Sequence, residues 1–269
     1  MSEPEEEIGR VLDRAGKYLR RQKEVYGETL YKNSAPTRNV SKEADPAPTR
    51  VSEVDLFGQA TAPPSASDAA SRAQLPNELW AGANNLDVLN GMICTCLKCG
   101  LGKTRKNFVF GVGNAKADIV LIGEAPGADE DEQGEPFVGR AGQLLNKILE
   151  AVKFKREEVY ICNILKCRPP DNRKPAAEEI ELCEPYLWKQ LEIINPKMIL
   201  CLGLTAGQAL LKTTSSLTNL RGKFHNYRGV PLMVTYHPAA LLRNPNWKRP
   251  CWEDVQVFRK RYDEILAVR

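Results

Sequence analysis

The 269-residue sequence has no apolar run approaching the roughly 18–20 residues that cross a bilayer, so no helical membrane span is expected. Its amino-terminal stretch Met-Ser-Glu-Pro-Glu-Glu-Glu is acidic where a secretory signal would be basic and then apolar, which points to a cytoplasmic protein without membrane association. There are two histidines, His225 and His237, so imidazole chemistry has only two places to reside. A second tight Cys-x2-Cys pair of the kind a zinc ribbon supplies is missing. No third glycine and following helix complete Gly111-x-Gly113 into a dinucleotide-type phosphate loop, which weakens a nucleotide-binding reading. No internal repeat is present.

Composition divides the chain. Residues 33–77 are dominated by Ser, Ala, Pro, Thr and charge without an apolar period, and are expected to be a disordered linker. Ahead of them Ile8, Val11, Leu12, Ala15 and Leu19 recur at helical spacing, which predicts one amphipathic helix over about 5–26, either solvated, bound to a protein partner or docked on the body. Residues 1–80 are thus read as an extension and 81–269 as the globular domain. That domain carries 27 basic against 21 acidic residues, net +6, an excess that permits attraction to phosphate backbones without establishing it.

Within the domain, strand and helix patterns alternate. Strands are expected at 117–122, 159–166, 197–202 and 230–235, with a short one at 108–112. Helices are expected at 142–152, from Pro175 to about 194, at 205–212 and at 252–267. Alternation of this kind implies an α/β fold with a parallel sheet of about four strands covered on both faces.

The eight cysteines matter more in a reducing compartment, where clustered thiols hold metal or react more often than they pair. Cys96 and Cys99 form a Cys-x2-Cys pair, whereas Cys167 and Cys183 lie far along the chain. Four thiolates from distant segments suit zinc or an iron–sulfur cluster equally well on spacing alone, with unrelated buried thiols as the bland alternative. Cys162 and Cys201 fall in apolar strand patterns and read as core residues.

Three expected strand ends carry polar groups. The first empties into an unusually long loop, 123–139, holding Glu124, Ala125, an acidic run that includes Glu130, and the isolated aromatic Phe137. The second carries Asn163 among apolar neighbours, which is unfavourable unless its amide is partnered. The fourth leads into His237, fixed by Pro238. In open α/β sheets such strand ends converge on a ligand.

The runs Gly123-Glu-Ala-Pro-Gly127 with Gly134-Glu-Pro-Phe-Val-Gly-Arg-Ala-Gly142, Cys162-Asn-Ile-Leu-Lys-Cys-Arg-Pro-Pro170 and His237-Pro-Ala-Ala-Leu-Leu-Arg243 resemble the family-four, thermostable iron–sulfur type of uracil-DNA glycosylase. The resemblance covers about residues 86–266 and says nothing of residues 1–80. It implies a three-layer α/β/α sandwich, a [4Fe–4S] cluster on Cys96, Cys99, Cys167 and Cys183, and excision of uracil from DNA in base excision repair by a monomer. It further implies that Phe137 stacks on an extruded uracil, Asn163 reads its edge, and His237 bonds its O2. The backbone at Glu124 and Ala125 would position water, Glu130 would line the C5 edge, Leu241 (or Leu242) would fill the gap left in the duplex, and Arg243 would touch phosphate. Two rival readings are a non-catalytic iron–sulfur DNA-binding module and the related X-type glycosylase that crosslinks to its substrate. The latter uses a histidine in the loop after the second strand, and the corresponding 168–175 has none.

Overall fold

The computed structural model describes residues 78–267, so the expected helix at 5–26 and the linker at 33–77 lie outside the described residues. Six strands form one sheet: β1 (Val112–Gly113), β2 (Ile119–Gly123), β3 (Tyr160–Asn163), β4 (Met198–Leu202), β5 (Phe224–Tyr227) and β6 (Val230–Thr235). Their order is β1-β3-β2-β4-β6-β5. The middle four run parallel, and the two edge strands pair antiparallel. The expected parallel sheet of about four strands is thus the centre of a mixed, six-stranded one. The strand expected at 108–112 is only the two-residue β1, and β5 escaped detection because its half-buried, polar-interrupted Phe-His-Asn-Tyr has no apolar run.

The strand pleat sends alternate side chains to opposite faces. On one face Val120, Ile122, Tyr160, Cys162, Ile199, Cys201, Leu232 and Val234 enter one core cluster; on the other, Ile119, Leu121, Ile161, Met198, Leu200 and Met233 enter a second. The first is covered by helices α1 (Leu86–Ile93), α5 (Ala177–Ile194) and α6 (Leu204–Leu211); the second by α4 (Arg140–Ala151), α8 (Pro238–Arg243) and α9 (Lys248–Ala267). Two short helices, α2 (Leu101–Thr104) and α3 (Ala128–Gln133), and the single turn α7 (Leu217–Leu220) complete the described residues. Helix, sheet and helix make three layers. Trp80, at the edge of the expected extension, is buried against Tyr186 of α5 with ring centroids 4.9 Å apart, so the body begins before residue 81.

The chain order creates a crevice. From β2 the path leads to α4 on one face, whereas from its neighbour β4 it leads to α6 on the other. Loops diverging at the carboxyl ends of adjacent parallel strands leave a cleft where α/β sheets bind ligands.

Candidate active site

A cavity of about 670 Å³ opens at those strand ends. Glu124, Ala125, Glu130, Phe137, Asn163, His237 and Arg243, singled out in the sequence, all line it. Tyr236, Trp247, Asn172, Arg173 and Thr218 line it too, and their local sequence gave no sign of it. His225 lies elsewhere, on β5, its Nε2 bonded to the Leu220 carbonyl at 2.8 Å.

Asn163 ends β3 and is 2% exposed. The ladder between β2 and β3 continues past it, with Ile164 and Leu165 N–H donating to the Gly123 and Glu124 carbonyls at 3.1 Å each. The fully buried Lys166 Nζ donates to the Asn163 carbonyl at 2.8 Å and to Gln190 Oε1 at 2.6 Å. The backbone of Asn163 is thus fixed from two sides. Its side-chain Oδ1, in contrast, is buried without a hydrogen-bond partner. An orphaned acceptor of this kind costs about 1–3 kcal/mol, so its persistence points to an absent donor.

Phe137 sits beside it. Gly123 makes room: a Cβ there would lie 2.7 Å from Phe137 Cζ and closer still to Asn163 Oδ1. Gly142 lets the first turn of α4 rest on the Phe137 carbonyl, where any side chain would overlap it. Phe137 itself has φ 55°, a left-handed conformation that is strained for a bulky residue. Its constraint comes from Glu130. That carboxylate accepts from Gly127 N–H at 3.0 Å through one oxygen, and from Val138 and Gly139 N–H at 3.1 and 3.0 Å through the other. Asp131, buried, accepts from Lys106 N–H at 2.9 Å and ties the same loop to the preceding segment. Glu130 and Asp131 of the acidic run are therefore backbone clamps, while Asp129 and Glu132 stay exposed. Glu124 alone of the cavity-lining carboxylates makes no hydrogen bond or ion pair among the described residues.

His237 caps α8, its Nδ1 accepting from Ala239 N–H at 3.1 Å. That bond fixes the neutral tautomer with the proton on Nε2. Burial, reinforced by the positive charge of Arg243, lowers its pKa to about 4, so the ring is neutral at physiological pH. Its centroid lies 5.5 Å from that of Phe137, with the planes 29° apart. Three segments far apart in sequence thus bring an aromatic ring, an amide and an imidazole to one cavity.

The expectation that Leu241 is the outward-facing leucine of this helix is corrected. Leu241 is 1% exposed and packs in the core with α4 and α9, so it is not available to enter DNA. Leu242, 39% exposed and next to cavity-lining Arg243, is the side chain that the helix presents outward.

The cysteine-bearing segments lie together on the α5 side. Cys96 and Cys99 pack against the core cluster that contains Cys167 and Cys183. Several donors point at sulfur: Tyr186 Oη to Cys96 Sγ at 3.2 Å, Arg105 Nη1 to Cys167 Sγ at 3.2 Å, and Lys166 N–H to Cys183 Sγ at 3.4 Å. Burial pushes the Cys167 thiol up and that of Cys183 to about 12. Among the described residues no three His, Cys, Asp or Glu side chains are gathered tightly enough for a single metal ion. Cys162 and Cys201 are core thiols, fully buried in β3 and β4.

The model of the uracil DNA glycosylase superfamily matches residues 110–256. A Type-4 uracil-DNA glycosylase of Archaeoglobus fulgidus is 47% identical over 169 residues, covering 60% of this chain and 85% of that protein. One from Pyrobaculum aerophilum is 44% identical, covering 65% and 93%, and one from Saccharolobus solfataricus is 46% identical, covering 66% and 85%. The matched region contains the whole sheet and every cavity residue named above, and the chain belongs to the uracil DNA glycosylase superfamily.

Proposed function

We propose that this chain is a uracil-DNA glycosylase of the Type-4 kind, which flips uracil out of DNA into the cavity and hydrolyses its N-glycosidic bond, leaving an abasic site for base excision repair. The observation that carries the reading is the buried, unpartnered Oδ1 of Asn163 beside Phe137. Uracil presents an N3–H donor next to the O4 acceptor. The Asn163 amide can accept from the first and donate to the second, whereas cytosine reverses both demands and would leave buried groups unpaired. Phe137 supplies a stacking face, and extrusion costs a few kcal/mol that these contacts offset.

Bond breaking leaves positive charge on the sugar and the electron pair of the C1′–N1 bond on uracil. A neutral His237 donates Nε2–H toward O2, where that negative charge gathers, without itself giving up a proton. Water then adds to C1′ and loses its proton as uracil takes one up; the backbone at Glu124 and Ala125, with the unpaired Glu124 carboxylate, positions that water. Glu130 lines the uracil C5 edge while its three backbone bonds hold Phe137 in place. Arg243 contacts phosphate, and Leu242 fills the vacated stack.

Cys96, Cys99, Cys167 and Cys183 would hold a [4Fe–4S] cluster. The N–H and O–H donors already directed at three of these sulfurs would suit it. The cluster would supply a crosslink between the 94–105 segment and the β3–α5 connection. A monomer suffices, since every group named comes from one chain. Eight unpaired cysteines fit the reducing cytosol, and the amphipathic spacing at 5–26 gives residues 1–80 a partner-binding role.

The test is base release from oligonucleotides carrying one uracil, thymine or cytosine. Uracil alone should be freed, leaving an alkali-labile abasic strand. Binding of uracil-DNA without release would make the protein a non-catalytic DNA-binding module.

A further inference from the structure

Tyr236 and Trp247 line the uracil cavity but have no part in reading or cutting the base. Their rings stack with centroids 5.3 Å apart and planes 19° apart. Trp247 remains 39% exposed, while Tyr236 is half-buried. A lone exposed aromatic needs no explanation; this one is braced. The Arg221 guanidinium lies 5.3 Å from the Tyr236 centroid, and it is held by Asp254, 2% exposed, through Nε at 3.0 Å and Nη2 at 2.7 Å. Asp254 also accepts from Thr235 Oγ1 at 2.7 Å, one residue before Tyr236. The two N–H···O bonds to one buried carboxylate set the position of the Arg221 guanidinium under the Tyr236 ring. Here it holds Tyr236, with Trp247 stacked on it, in the same cavity wall as the cationic Arg243.

We propose that the Tyr236–Trp247 step is a second base-binding site, on which a nucleobase flanking the extruded uracil stacks while its own strand passes the cavity mouth. Every nucleobase has a π-face, so the site takes any neighbour and serves single strands, where that neighbour is free to unstack. The inference rests on the uracil reading and extends it by one nucleotide.

The test compares wild type, Trp247→Ala and Trp247→Phe on single-stranded uracil oligonucleotides, either unmodified or with an abasic tetrahydrofuran in place of the 5′ or the 3′ neighbour. Deleting the stacked neighbour should lower wild-type kcat/KM by about 5- to 100-fold, mainly through KM. Trp247→Ala should lose as much on the unmodified strand and nothing more when the neighbour is deleted, and Trp247→Phe should retain most of the activity. Equal losses for Trp247→Ala on all substrates would mark a structural role and overturn the proposal, as would no loss. A wild type that frees no uracil from the unmodified strand overturns the uracil reading and this site with it; normal excision without coupling overturns the site alone.

Discussion

Replacing Asn163 by Leu separates recognition from folding, because the two should move in opposite directions. Leucine keeps the branched four-heavy-atom skeleton of asparagine, is somewhat bulkier, and has no polar atoms. In the free protein the substitution removes an acceptor that is buried without a partner, so stability should stay level or rise by up to about 1 kcal/mol, the small side of the ~1–3 kcal/mol that such an orphan costs. Contacts with Phe137 across Gly123 limit the gain. In the complex two hydrogen bonds to uracil vanish and leave N3–H and O4 buried and unpaired. At ~1–3 kcal/mol each, the loss is about 2–6 kcal/mol, or roughly 30-fold to 25,000-fold in kcat/KM. Single-turnover base release, read beside a chemical-denaturation curve, measures both. If excision persists within a few-fold of wild type, or falls only in step with stability, Asn163 does not read the base.

Other expectations follow from the same geometry. His237→Ala should lower excision by orders of magnitude with the fold intact. Since the folded ring titrates at about 4 and the unfolded one near 6.5, the unfolded chain binds the extra proton between those values; stability should fall as pH drops through that window, and the activity profile should show no histidine step near 6.5. A profile with such a step would show a charged imidazole at work. Gly123→Ala forces a Cβ into Phe137 and Asn163, so excision should drop by about 5- to 150-fold, the ~1–3 kcal/mol typical of an overpacked site, while circular dichroism stays native; normal turnover would mean that the three groups need not meet. Cys167→Ser should strip iron, acid-labile sulfide and visible absorbance from anaerobically purified protein and lower its thermal midpoint. An unchanged colourless wild type would remove the cluster.

The parallel core was legible because β2, β3, β4 and β6 are short apolar runs bounded by turn residues, too short for buried helices. β5 was not, since an edge strand needs no apolar run and draws its pairing from β6. Asn163 and His237 stood out as polar residues at strand ends. The acidic run was half legible: Asp129 and Glu132 are exposed as a solvated run would be, whereas Glu130 and Asp131 accept from backbone N–H groups 8 to 25 residues away, contacts with no local signature. Leu241 and Leu242 illustrate the same limit, because adjacent helical positions differ in burial by the packing of α4 and α9 alone. Tyr236 and Trp247 are eleven residues apart and meet only through the turn after α8.

A crystal structure of the protein soaked with free uracil bears most directly on the claim that the aromatic ring, amide and imidazole form one base pocket. Uracil should lie in the cavity with N3 within about 2.7–3.2 Å of Asn163 Oδ1, its face on Phe137 and its O2 toward His237 Nε2. Uracil bound elsewhere, or seated with Asn163 Oδ1 still unpaired, would contradict the account.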